Sequence, residues 1–93
     1  MRLQRKELLE DCFDGSGIFL YYFDEPIAKT FIMTLSRFGK LEYFSEFPRP
    51  FFRVVSLDGL QMKGVEGEYS IRVLLPSQNR QVLEESVLHF FCS

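Results

Sequence analysis

The stretch "VVSLDGLQMKGVEGEYSIRVLL", residues 54–75, constrains this chain more than any other. Apolar and β-branched residues alternate with polar ones, and the runs are broken by Asp58-Gly59 and Glu66-Gly67. Alternation of period two punctuated by Asp-Gly-type pairs is the signature of antiparallel strands joined by tight turns. A sheet built this way has two faces, and the face that carries the apolar residues must be covered.

Upstream, "KLEYFSEF" (40–47) leads through "PRP" into "FFRVVSL" (51–57), followed by "LQMKGV" (60–65) and "YSIRVLL" (69–75). Two-residue turns at Asp58-Gly59 and Glu66-Gly67 place Leu57 opposite Leu60, Val55 opposite Met62 and Met62 opposite Ile71. The "PRP" link places Phe47 opposite Phe51. The face predicted to take the helices then includes Leu41, Tyr43, Phe51, Val55, Met62 and Ile71, together with Phe47, Leu57 and Tyr69. On the other face Phe44 stands opposite Val54 and Phe52 opposite Val65, rimmed by Glu42, Glu46, Lys63 and Arg72. Monomers seldom leave such an apolar patch bare. Phe44, Phe52, Val54 and Val65 are therefore expected to meet another protein surface, with a two-fold homodimer as the default. A terminal helix of the same chain covering the patch is the alternative.

The remaining elements follow from periodicity and caps. "LQRKELLEDCF" places Leu8, Leu9, Cys12 and Phe13 on one side, as in a short helix ended by Gly15. "GIFLYYF" (17–23) is apolar on both faces, as a central strand requires. Asp24 and Pro26 open a helix with Ile27, Phe31, Leu35 and Phe38 at helical spacing and Gly39 at its end. Ser77 or Asn79 caps a last helix carrying Val82, Leu83, Val87, Phe90 and Phe91. The predicted order is α-β-α-β-β-β-β-α within a single domain, residues 1–93. That is an α+β fold: a mostly antiparallel sheet of about five strands with helices on one face, ferredoxin-like or a variant. A strongly curved sheet wrapping one helix is the second possibility.

"YYFDEPIAKTFIMTLSRFGKLEYF" (21–44) resembles the opening strand, helix and second strand of ACT-type small regulatory domains. Asp24, Pro26 and Gly39 stand where that family has its turn and helix end, while Ile27 replaces its turn glycine. The resemblance implies a ferredoxin-like fold, oligomerisation through sheets and a small effector.

Eleven basic and thirteen acidic residues give a net charge of −2. This balance argues against generic nucleic-acid binding, which relies on excess Lys and Arg to neutralise phosphates. It also argues against a polybasic membrane-surface protein. Cys12 and Cys92 lie far apart and form no framework, so free thiols in a reducing compartment are expected. The first residues lack an apolar signal region, and "GIFLYYF" is too short to span a membrane. A cytoplasmic protein is expected.

No residue grouping carries a reaction. His89 is the only histidine, and zinc needs three or four well-spaced ligands. The glycines stand singly in turns rather than in a phosphate loop. No cofactor, metal or catalytic residue is expected. One tentative ligand site remains. Arg53 and Ser45 face each other on the expected core side, with Tyr69 beyond, and a buried unpaired arginine is costly. Arg53 either snorkels into water or, with Ser45 and Tyr69, binds a small anion. The expected function is a non-enzymatic interaction or regulatory module. The alternatives are a small enzyme subunit with its site at a subunit interface, and single-stranded nucleic-acid binding through exposed aromatics.

Overall fold

The computed structural model describes residues 1–92. Its elements are β1 (Leu3–Asp11), β2 (Gly17–Phe23), α1 (Lys29–Thr34), β3 (Lys40–Phe44), β4 (Phe51–Val55), β5 (Gln61–Val65), β6 (Ser70–Leu75) and α2 (Arg80–Cys92). A 3₁₀ turn, Leu35–Phe38, continues α1. The six strands form one antiparallel sheet in the order β1-β2-β6-β5-β4-β3. A hairpin (β1–β2) is followed by a crossover through α1 to the far edge, and a meander then returns strand by strand to β2. The fold is α+β, but the expected five strands, ferredoxin-like arrangement and leading helix are all corrected.

The leading segment is a strand because β2 needs a neighbour on each side. β2 is apolar on both faces, and its backbone groups must be paired on both edges. β6 takes one edge and β1 the other. Irregularities in β1 between Leu3 and Arg5 and between Leu8 and Glu10 break its alternation. The broken alternation imitates helical spacing in the sequence. Lys6 still reaches the helix side, where it pairs with Glu84 of α2.

The helix expected from Asp24 starts later. Residues 26–28 lie outside the helix, beside the β5–β6 loop: Ile27 N–H donates to Glu68 O and Gly67 N–H to Ile27 O, both at 2.8 Å. Asp24 accepts the Arg2 N–H at 2.6 Å instead of capping the helix. Gly39 is extended rather than left-handed. It is needed for a different reason: a Cβ there would lie 2.4 Å from the Val55 carbonyl oxygen.

Turn length explains the remaining correction. The β4–β5 turn has three residues, Leu57–Gly59, not two. Ser56 N–H donates to Leu60 O at 2.9 Å, Gly59 N–H to Ser56 O at 3.2 Å, and Gly59 has φ 94°. Ser56 Oγ also accepts the Asp58 and Leu60 N–H groups. The β1–β2 turn, Phe13–Gly15, repeats the pattern, with Cys12 N–H donating to Ser16 O and Gly15 at φ 91°. Both are three-residue loops closed by a residue in the left-handed region. A one-residue change in loop length moves every side chain of a strand to the opposite face. Accordingly Val54, not Val55, pairs with Met62. On the other side β3 and β4 are joined by residues 45–50, and Phe44 pairs with Phe51. The β5–β6 shift is two residues, with Met62 opposite Val73, so that face is unchanged.

β4 is thus inverted relative to the expectation. Phe52 and Val54 lie in the core, and Phe51, Arg53 and Val55 point the other way. Phe47, Leu57 and Tyr69, expected on the core face, are exposed, Leu57 fully so at 108%. The core joins the sheet's inner face to the two helices through Tyr21, Phe23, Phe31 and Phe91, whose rings meet edge-on or tilted at 5.1–6.1 Å. Such pairs add about 0.5–1.5 kcal/mol each beyond area burial. Burial raises the Tyr21 phenol well above its ordinary pKa. Both cysteines are free. Among the described residues no helix is long and apolar enough to cross a membrane.

Two substitutions test this packing. Phe52 is 1% exposed and Val55 38%. Phe52→Ala should cost about 3–5 kcal/mol in urea denaturation, and Val55→Lys less than about 1 kcal/mol. The reverse ranking would restore the two-residue turn. Separately, Gly39→Ala should destabilise by about 1–3 kcal/mol through the forced approach to Val55, which a melting curve reads directly.

Candidate ligand-binding face

Both helices pack on one side of the sheet, so the composition of the other side is set by strand parity alone. Pairing runs Glu42–Arg53–Lys63–Arg72–Leu20–Glu7 straight across all six strands. The next row, two residues along, runs Phe44–Phe51–Val65, and β6 and β2 continue it with Ser70 and Tyr22. The central row therefore holds three cations on adjacent strands. Like charges directly opposite on neighbouring strands are destabilising, so this row needs a reason.

Only the β4 end is neutralised. Arg53 Nε and Nη2 donate to Glu42 Oε1 at 3.0 and 2.6 Å. These bonds hold the Glu42 carboxyl below its usual pKa. Among the described residues Lys63 and Arg72 have no carboxylate partner, and both are exposed. An open trough of about 630 Å³ follows the two rows across the strands from Phe44 to Leu20. One wall is the cation row. The other is built on Phe44 and Phe51, whose rings stack at 4.6 Å and 21°, and on Val65. Phe47 extends the aromatic end, 5.1 Å from Phe51. Beyond the trough, Arg5 lies over the Tyr22 ring at 4.1 Å.

The sequence-predicted residues divide. Phe44 and Val65 are on this face as expected, while Phe52 and Val54 are in the core and leave it to Phe51. Arg53, Ser45 and Tyr69 do not form the expected constellation. Arg53 is on the outer face between Glu42 and Lys63, Ser45 lies in the β3–β4 connection, and Tyr69 precedes β6 with the parity of the inner face. Arg53 is exposed rather than buried. Lys63 and Arg72 were legible only as a rim. Their place in a row depends on the register of two turns.

A smaller cleft of about 420 Å³ lies on the helix side, between the 3₁₀ turn, the β4–β5 turn and α2. Arg37 and Asp58 contribute opposite charges to it, His89 lines it, and the Arg37 guanidinium lies 5.0 Å from the centre of the Phe90 ring. Among the described residues no group of His, Cys, Asp and Glu is placed to hold a metal ion.

The Glu42–Arg53 pair carries a pH dependence. A carboxyl with a depressed folded-state pKa adds stability above its unfolded pKa and loses it as pH falls through the folded value. The melting-temperature difference between wild type and Glu42→Gln should favour wild type at neutral pH. It should close on acidification below the ordinary carboxylate range. A gap independent of pH would show that the pair contributes no charge-dependent stability.

Compared with protein-family models, curated proteins and solved structures, the chain matches none of them.

Proposed function

We propose that this chain is a non-enzymatic binding module that holds an anionic ligand on the open face of its sheet. One observation carries the reading: Lys63 and Arg72 stand side by side, without carboxylate partners, in a row of three cations that walls a trough. A ligand carboxylate or phosphate would relieve the repulsion within that row. The flanking apolar wall would supply the buried area that exposed ion pairs, worth about 0–1 kcal/mol each, do not. The free thiols of Cys12 and Cys92 fit a reducing compartment such as the cytoplasm.

The same row disfavours a homodimer centred on it, one form of the dimer expected from the sequence. A two-fold contact presents the same surface to itself. With the two-fold axis through the row, two such faces would set cation row against cation row, with Glu42 and Glu7 confined to the ends.

A heparin column at low ionic strength tests the proposal. Wild type should be retained although its net charge is −2, because retention depends on the local row. Lys63→Glu with Arg72→Glu should abolish retention without lowering the melting temperature. Glu42→Gln, which frees Arg53, should move elution to higher salt. Flow-through of the wild type, or retention of the double variant, would reject the reading.

A further inference from the structure

Resting on that reading, we infer that the ligand is an acidic amphipathic helix of a partner protein, lying in the trough across the strands. Dimensions and charge pattern point the same way. Neighbouring strands are about 4.8 Å apart, so the Arg53–Lys63–Arg72 row spans about 9.6 Å. Helix positions i, i+4 and i+7 span about 10.5 Å and share one side. The apolar row lies two residues along the strands, about 6.8 Å away. A helix about 10–12 Å wide bridges both rows. Acidic residues at i, i+4 and i+7 would meet Arg53, Lys63 and Arg72. The apolar row starts one strand earlier, on β3, so apolar residues at i−3, i+1 and i+5, centred about 100° round the helix, would meet Phe44, Phe51 and Val65.

A nucleic-acid strand suits the face less well. Glu42 and Glu7 close the cation row at its two ends, so a phosphodiester chain continuing along it would run over a carboxylate on either side. Base stacking needs free aromatic faces, and Phe44 and Phe51 spend one face each on the other. The Tyr22 ring already carries Arg5. A sequence pI of about 5.4 also lacks the general excess of positive charge on which phosphate binding draws. A bounded acidic stripe beside an apolar one matches what the face offers.

Fluorescence anisotropy with labelled helical peptides tests the inference. The probe carries Glu at i, i+4 and i+7 and Leu at i−3, i+1 and i+5. A control of equal charge has Ser in place of each Leu, and an oligo-dT of similar charge stands for nucleic acid. The probe should bind wild type at least about tenfold more tightly than the control, and Phe51→Ser should remove most of that difference. Equal binding of probe and control, or tighter binding of oligo-dT, would overturn the inference while heparin retention preserved the broader reading. A wild-type dimer that Lys63→Glu with Arg72→Glu dissociates would assign the face to a second copy and overturn it too. Loss of heparin retention in the wild type would remove the anion-binding reading itself.

Discussion

The left-handed backbone of Gly59 decides which side of β4 meets water. With φ at 94° it closes a three-residue turn in which Ser56 bonds to Leu60 through the backbone and caps two further N–H groups with its hydroxyl. A two-residue turn would change the parity of β4 against β5. Phe52 and Val54 would then face water, and Arg53 would sit under the helices. The observed turn buries two large apolar side chains and sends the arginine outward. Each of those buried side chains is worth about 1.5–3 kcal/mol relative to exposure. That exceeds what an Asp-Gly pair gains from choosing one tight-turn geometry over another. Core burial and turn chemistry agree on the longer loop, and the outer cation row is its consequence.

The sheet's one-sidedness has a similar origin. The connection from β2 to β3 must cross the whole sheet, and it carries Phe31, Ile32, Leu35 and Phe38, which can be buried only against the inner face. α2 returns after β6 and closes over the same face with Val87 and Phe91. Both helical segments are consumed there. Nothing else in residues 1–92 is available to cover the outer face, so its mixture of cations and aromatics stays in solvent. β1 ends the sheet at one side with charged residues and irregular pairing, features that discourage further strands from adding. β3, at the other edge, is only five residues long.

How much of this was legible in the sequence depended on whether the signal was local. The Asp-Gly and Glu-Gly pairs located two turns, and alternation placed Met62 and Ile71 correctly inside. The face of β4 was not legible from alternation, because "FFRVV" offers Phe52 and Val54 to one side and Phe51 and Val55 to the other. Only loop length separates the two readings. The repeated apolar-Asp-Gly triplets at 13–15 and 57–59 were the available clue: Phe13 and Leu57 are 113% and 108% exposed, as the first residue of such a loop can be. β1 was unreadable for a different reason. Its bulges erase period two, and its strand character comes from β2's unpaired edge, a tertiary demand that no local pattern carries. The burial expected of Arg53 belongs to a register that the strands do not adopt. Lys63 and Arg72, on which the proposed function rests, look like ordinary solvent-facing residues until the strands are aligned.

A cationic row on an acidic chain would give the proposed binding a selectivity of its own. At physiological salt, charges are screened over about 8 Å. A ligand far from the surface therefore experiences the net charge of −2, which does not attract an anion. A ligand seated in the trough experiences chiefly the row, whose length is comparable with the screening distance. Long-range steering is thus weak, and affinity must come from contact. Contact rewards a ligand that satisfies both walls, because ion pairs at an exposed row contribute little unless neighbouring apolar area excludes water from them. A highly charged polymer without apolar groups would neutralise the row and leave the Phe44–Phe51 wall wet. A purely apolar ligand would desolvate Lys63 and Arg72 without pairing them, which costs more than the apolar contact returns. For the ligand proposed above, the face would discriminate by demanding charge and apolar surface together at a fixed separation, which is set by the strand geometry rather than by any flexible loop.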